Sequence, residues 1–325
     1  MERELNSRRD LDELYNHLFQ QNPKFRVISK ERFHELAFRD GNPEFYKVFR
    51  IPKPNGKYRV IEEPIPDLKL IQKCLLSILH KYPLAPEVYG LGGNNFIQNA
   101  KKHAENRVVI KIDILRFFPE TTDIYFDFAV TRALSLRFID KELADTLRIA
   151  QSFFFLTDRR GIRRLPTGAP TSPIVSSICF SPLDEVLQTE ALCHNLVYSR
   201  YIDDLIFSGP EYPEGFQKRV VQIVQEYGYR VNHEKSQVLY ADNHNQEITG
   251  ITVNSSHGIP KTYRQNLRAE LDHHARHSRE LNESLQGKLA YVYQINPPLR
   301  DKFQKYFSKR VTYWHNQENR VNLDA

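Results

Sequence analysis

Residues 196–207 read Leu-Val-Tyr-Ser-Arg-Tyr-Ile-Asp-Asp-Leu-Ile-Phe and set two adjacent carboxylates, Asp203 and Asp204, between two apolar runs. Valine, tyrosine, isoleucine and phenylalanine favour strands, and the short polar break predicts a tight hairpin with both acids at its tip. Adjacent carboxylates repel each other and contribute nothing to packing, so this placement needs a compensating positive charge. A divalent cation supplies it. Alone, an Asp-Asp pair is usually a solvated turn, so the reading depends on the sequence around it.

Upstream, residues 107–114 (Arg-Val-Val-Ile-Lys-Ile-Asp-Ile) are rich in β-branched residues and predict a buried strand that delivers Asp113 at its carboxyl end. Asp113, Asp203 and Asp204 together would make an oxygen-rich site for Mg²⁺, an ion that keeps several waters and binds through a few carboxylates plus substrate phosphates. Two such ions roughly 3.5–4 Å apart can activate an attacking hydroxyl and stabilise a leaving pyrophosphate.

Around these segments the pattern is mixed. Residues 1–45 predict one or two amphipathic helices, with Leu11, Leu14, Leu18 and then Phe33 and Leu36 spaced three and four apart. Residues 46–64 alternate about the turn signal Pro54-Asn55-Gly56 and predict a hairpin carrying Lys57 and Arg59. Helices are predicted from Leu68 to just before Pro83, over 122–137 and over 141–155. Ser172-Pro173 reads as an N-cap with proline at the first helical position, and Pro182 should kink or shorten the helix that follows. A short strand pair is expected over 246–253. Apolar positions between Leu267 and Val292 predict one or two helices ended by Asn296-Pro297-Pro298. Leu91-Gly92-Gly93 lacks the Gly-Lys-Ser/Thr of a phosphate loop and reads as a turn.

Composition excludes several classes. With 325 residues, 40% hydrophobic and 26% charged, the chain is ordinary for a folded protein of two or three subdomains. No stretch of eighteen apolar residues occurs and the amino terminus is charged, so no membrane partner and a cytoplasmic location are expected. Cys74, Cys179 and Cys193 form no CxxC pair and read as buried reduced thiols. The net charge is +6, and residues 261–325 hold twelve Lys/Arg against seven Asp/Glu. A basic end of this kind suits a nucleic-acid clamp with Lys261, Arg264 and Arg268 on phosphates; a solvated charged helix is the alternative. His273, His274 and His277 have helical spacing without a carboxylate or cysteine pattern, which favours a basic RNA-facing helix over a metal site.

Four segments carry a resemblance. Tyr201-Ile202-Asp203-Asp204 resembles the YxDD box of reverse transcriptases, and Lys111-Ile112-Asp113-Ile114 with Phe117-Phe118-Pro119 resembles their first catalytic box. Between them, residues 165–173 (Leu-Pro-Thr-Gly-Ala-Pro-Thr-Ser-Pro) resemble the LPQGxPxSP segment, and Gly228-Tyr229-Arg230-Val231-Asn232 with Lys235-Ser236 resembles the next box. The order is the family's, over roughly residues 50–255. The resemblance implies an α+β right-hand polymerase with a helical extension over 1–45 and fingers over 46–106. Residues 107–122 would open the palm, 123–172 would be shared by fingers and palm, 173–260 would complete the palm, and 261–325 would form a basic thumb.

The implied roles are metal binding by Asp113, Ile114, Asp203 and Asp204, with two Mg²⁺ ions. Nucleotide binding falls to Lys57 and Arg59 at the triphosphate, Phe118 at the sugar with Phe117 beside it in the site, and the Gly168-Ala169 loop beneath the nucleotide. Thr167 departs from the family's glutamine, which puts fidelity and sugar selection in question but not the metal chemistry.

Asn99-Ala100-Lys101-Lys102-His103 matches the NAxxH motif of retron reverse transcriptases, and Ile248-Thr249-Gly250 is close to their VTG motif. Asn99 and His103, four apart, could share a helical face and bond RNA; capping and core hydrogen bonding is the alternative. The retron resemblance implies deoxynucleotide substrates and a folded noncoding RNA as template. It also implies priming from a guanosine 2′-hydroxyl to give a branched RNA–DNA product, an effector protein partner and a part in phage defence. Another compact bacterial defence reverse transcriptase, or an RNA-binding scaffold without activity, are the rival readings.

Overall fold

The structure, a computed structural model, describes residues 2–53, 56–91, 95–254 and 258–321, with side chains between Arg8 and Asn316. In chain order the elements are α1 (Glu2–Gln21), α2 (Lys30–Phe38), β1 (Tyr46–Pro52), β2 (Tyr58–Pro64), α3 (Pro66–Leu79), β3 (Val88–Tyr89), α4 (Phe96–Lys102), β4 (Val108–Ile114), α5 (Phe117–Glu120), α6 (Asp123–Ser135) and α7 (Lys141–Ala150). Then come β5 (Leu156–Thr157), β6 (Arg163–Arg164), α8 (Ser172–Cys193), β7 (Val197–Tyr201), β8 (Asp204–Gly209), α9 (Phe216–Glu226), β9 (Val231–Tyr240), β10 (Glu247–Ile248), β11 (Ile251–Thr252), α10 (Lys261–Ala275), α11 (Glu283–Ile295) and α12 (Pro297–Val321). The predicted α+β mixture is what forms.

One five-stranded sheet has the order β3-β7-β8-β4-β9, so the strand ending in Asp113 lies beside the hairpin that carries Asp203 and Asp204. β1 and β2 form a separate antiparallel ribbon, pairing Tyr46 with Pro64 at one end and Pro52 with Tyr58 at the other. The turn residues Pro54 and Asn55, like Gly92 and Gly93, lie outside the described residues.

The chain divides into two compact units: Met1–Asn95, Ile110–Phe207 and Tyr212–Gln237 in the first, and Phe96–Val109, Ser208–Glu211 and Val238–Ala325 in the second. In the first, Leu11, Leu14 and Leu18 of α1 bury the expected helical stripe in a core with Phe25, Phe33, Phe153 and Phe154. In the second, Leu267 and Leu271 of α10 and Leu289 and Val292 of α11 are buried, as are Phe303 and Phe307 of α12. No described helix is long and apolar enough to cross a membrane.

Three expectations are corrected. α8 runs unbroken through Pro182. Proline there leaves the carbonyl four residues back without its N–H partner, and the Ser181 hydroxyl donates to that very oxygen, Ile178 O, at 2.8 Å. The helix beginning at Lys141 stops at Ala150 rather than 155, because Phe153, Phe154 and Phe155 turn inward and are buried. Cys193 is exposed at the last residue of α8, whereas Cys74 and Cys179 are buried as expected. In addition, Asn296-Pro297-Pro298 ends α11 but also opens α12, since proline is tolerated in a first helical turn, where N–H groups have no partner anyway.

Candidate active site

Near the end of β4 the three carboxylates lie close enough for their charges to act on one another. The N–H of Ile114 donates to the carbonyl of Asp203 at 3.0 Å, which ties the end of β4 to the hairpin turn. Asp113 is nearly buried, and its oxygens accept from Lys235 Nζ at 2.8 Å and Asn232 Nδ2 at 3.1 Å. Its own N–H points to the Ser236 hydroxyl at 3.3 Å. The bond to Asp113 in turn holds the Lys235 ammonium above its usual range.

Burial raises the Asp203 carboxyl above its ordinary range; the charge of Asp113 adds to this, while Lys235 and Arg59 work against it. Asp204 is pushed up to about 6, by burial first and then by Asp203. Asp113 therefore makes ionisation of Asp203 and Asp204 harder, as Asp203 does for Asp204, the condition that a bound cation relieves. Among the described residues no three His, Cys, Asp or Glu side chains are placed so that they could hold a metal ion between them. Mg²⁺ does not ask for three, because it takes one or two carboxylates and completes its shell with water and substrate phosphate. The donor set fits that ion.

The expected nucleotide-binding residues share this unit. Lys57 and Arg59 are exposed on the β1–β2 ribbon, and the charge of Arg59 reaches Asp203. Phe118 is half-buried, its ring 5.8 Å from that of Phe117, which is buried against Phe180 and Tyr229. The loop at Gly168 is stitched to β2: Glu62 N–H donates to Thr167 O at 2.6 Å, and Thr167 N–H returns to the Glu62 carboxylate at 3.1 Å. Arg164 clamps the same carboxylate with two bonds of 2.5 and 2.9 Å. Gly168 lies exposed on that loop and Ala169 is buried. Sequence reading had no signal for Glu62 and Arg164. Asn232 and Lys235 stood within a recognised box, but their grip on Asp113 was not foreseen.

Asn99 and His103 take a different place from the one expected. Both are fully buried in the second unit, and His103 follows α4 instead of completing it. The His103 ring shares a 2.7 Å hydrogen bond with the Ser208 hydroxyl, to which Asn106 Nδ2 also donates at 3.0 Å. An RNA strand does not reach them there, and the core alternative describes them. Residues 248–250 meet α4 in the same unit: Thr249 Oγ1 donates to Phe96 O, Tyr291 OH donates to Gly250 O, both at 3.0 Å, and the Phe96 and Tyr291 rings stack at 5.5 Å.

Burial pushes the His103 imidazole down to about 3, so it is neutral in the fold but protonates in the unfolded chain below its ordinary value. The unfolded state then binds more protons, and stability present above about pH 6.5 is lost as pH falls toward 3. Urea unfolding should show a loss of about 2 kcal/mol between pH 7.5 and 5 from this residue. His103→Gln should remove that slope; an unchanged slope would mean that His103 protonates in place.

Lys261, Arg264 and Arg268 are all exposed on α10, at spacings of three and four, and the Arg268 guanidinium sits 5.9 Å from the Tyr306 ring. His273 and His277 face each other at 5.5 Å, while His274 bonds the Glu280 carbonyl at 2.8 Å, so the three histidines do not converge.

Residues 51–297 match the reverse transcriptase (RNA-dependent DNA polymerase) family. The retron Mx65 reverse transcriptase of Myxococcus xanthus is 31% identical over 82% of this chain and 65% of its own length. The retron Ec83 reverse transcriptase of Escherichia coli is 28% identical over 81% of this chain and 87% of its own. Among solved structures, telomerase from Candida albicans aligns with a TM-score of 0.47 at 13% identity, over 86% of this chain and 56% of that one. On the family match over residues 51–297 and the likeness to these retron enzymes, the chain belongs to the reverse transcriptase family and is of the bacterial retron type.

Proposed function

We propose that this chain copies a cognate noncoding RNA into single-stranded DNA that remains joined to the RNA through a branch, as a retron reverse transcriptase, in the cytoplasm. The observation that carries the chemistry is the burial of Asp203 and Asp204 within reach of the Asp113 charge, which raises both carboxyls and suits a cationic cofactor. Bound Mg²⁺, two ions in this reading, would activate the primer hydroxyl and neutralise charge on the leaving pyrophosphate. Asp113, Asp203 and Asp204 would hold the cations, with the backbone of Ile114 as a further ligand. Lys57 and Arg59 face the triphosphate of the incoming deoxynucleotide, where guanidinium and ammonium groups offset phosphate charge. The loop at Gly168 and Ala169 frames the nucleotide, and the buried Phe117 ring backs Phe118.

In this reading residues 46–106 and part of 123–172 act as fingers, 107–122 and 173–260 as palm, and 261–325 as a thumb whose Lys261, Arg264 and Arg268 bind phosphate. An effector protein and a part in phage defence complete the proposal. Sequencing nucleic acid that co-purifies with the chain tests it. A branched RNA–DNA species is the expected result, and DNA free of RNA would overturn the retron assignment.

Phe118 supplies the sugar check, because its half-exposed ring occupies space that a 2′-hydroxyl would need. Phe118→Ala should raise ribonucleotide over deoxyribonucleotide incorporation by roughly tenfold or more, the discrimination that a steric contact of one to two kcal/mol provides. Competing both nucleotides on one primer reads this directly; unchanged selectivity with activity intact would place the gate elsewhere.

A further inference from the structure

Arg200 is the largest fully buried side chain outside the recognised catalytic boxes, and it stands two residues before Ile202. Its Nε and Nη2 donate to the two oxygens of Asp184 on α8 at 2.8 and 2.7 Å. Nη1 donates to the Ile202 carbonyl at 3.0 Å and lies 3.3 Å from the Ser177 hydroxyl. Tyr198 OH donates to Asp184 at 2.7 Å, and the Phe180 ring lies 4.8 Å from the guanidinium. A buried pair of this kind is weak as a source of stability, since desolvating both ions consumes most of their attraction. Its retention calls for another reason.

That reason lies at the turn. Ile202 has φ +58, a left-handed conformation that a β-branched side chain adopts only when its surroundings hold it there. The two carbonyls that flank the Asp203 Cα are both fixed: Ile202 O by Arg200, and Asp203 O by the N–H of Ile114. With both peptide planes anchored, the direction in which Asp203 leaves the backbone is determined. Gly90 makes room on the other side, because a Cβ there would meet the Ile202 side chain at 3.0 Å.

We infer that Arg200, oriented by Asp184, is a positioning residue that sets the backbone of the Ile202-Asp203 turn and so aims the Asp203 carboxylate. The inference rests on the proposed role of Asp203 in holding metal. Arg200→Lys keeps the charge opposite Asp184 but loses the planar fork, so one side chain no longer reaches Asp184 twice and Ile202 as well. It should lower kcat for primer extension by roughly tenfold to a hundredfold, the range that an ångström of misplacement produces, with KM for deoxynucleotide within about twofold.

The paired variant Asp184→Leu with Arg200→Met removes both charges, so no buried ion is left alone and the fold is expected to persist. Manganese titration by electron paramagnetic resonance, without nucleotide, should show weaker Mn²⁺ binding in both variants while their melting profiles stay cooperative. Wild-type kcat and Mn²⁺ affinity in either folded variant would overturn the inference. Should synthesis survive loss of Asp203 itself, the metal reading fails instead, and the two failures are distinguishable.

Discussion

Asp203→Asn together with Asp204→Asn should reduce DNA synthesis by about a thousandfold, the rate equivalent of the several kcal/mol that metal-borne charge stabilisation contributes. Asparagine nearly preserves volume and can still hydrogen-bond, so packing around the hairpin should survive. The fold should even gain. In the wild-type chain both carboxyls are raised above their ordinary range, so their ionisation opposes folding. For Asp204 that cost is complete above about pH 6 and fades as pH falls toward its ordinary 3.8. The double variant should therefore melt at an equal or higher temperature than wild type at pH 7.5, with the gap narrowing toward pH 4. Primer extension and thermal melting on one preparation check both halves. Robust synthesis by the variant would remove these carboxylates from the chemistry.

Gly168→Ala is expected to damage the loop proposed to lie beneath the nucleotide without touching any charged group. Gly168 has φ +127, which residues with a Cβ rarely adopt, and a Cβ built there would stand 2.8 Å from Ile61 Cγ2 and 3.3 Å from the Glu62 backbone oxygen. The side-chain methyl can shift. The backbone oxygen cannot move freely, because the neighbouring amide of Glu62 is bonded to Thr167 and its carboxylate to Arg164. Strain of this kind costs about 1–3 kcal/mol, shared between a lower melting temperature and a displaced loop. A several-fold rise in KM for deoxynucleotide should accompany the loss of stability. A variant that matches wild type in both would show that the loop tolerates a Cβ and that its glycine is not set by this close approach.

What the sequence by itself determined was local in origin. The β-branched run 108–114, the two strands flanking Asp203-Asp204 and the helical stripe of Leu11, Leu14 and Leu18 were legible, because alternation and three-four spacing follow from backbone geometry within a few residues. The order of the boxes was legible too, and with it the family. Tertiary structure decided what each side chain meets. Asn99 and His103 have a spacing that suits a surface face as well as a core, and only packing against Ser208 put the histidine inside. Pro182 reads as a residue that shortens its helix, yet α8 continues to Cys193 with the Ser181 hydroxyl on the freed carbonyl. Asp113 is held by Lys235, Glu62 by Thr167 and Arg164, and the buried Arg200 by Asp184. The Asp113 and Glu62 partners lie more than a hundred residues apart in the chain, and Asp184 lies on a different element from Arg200. Charge, proton affinity and hydrogen bonding depend on groups within a few ångströms in space, a distance that residue spacing along a chain does not encode.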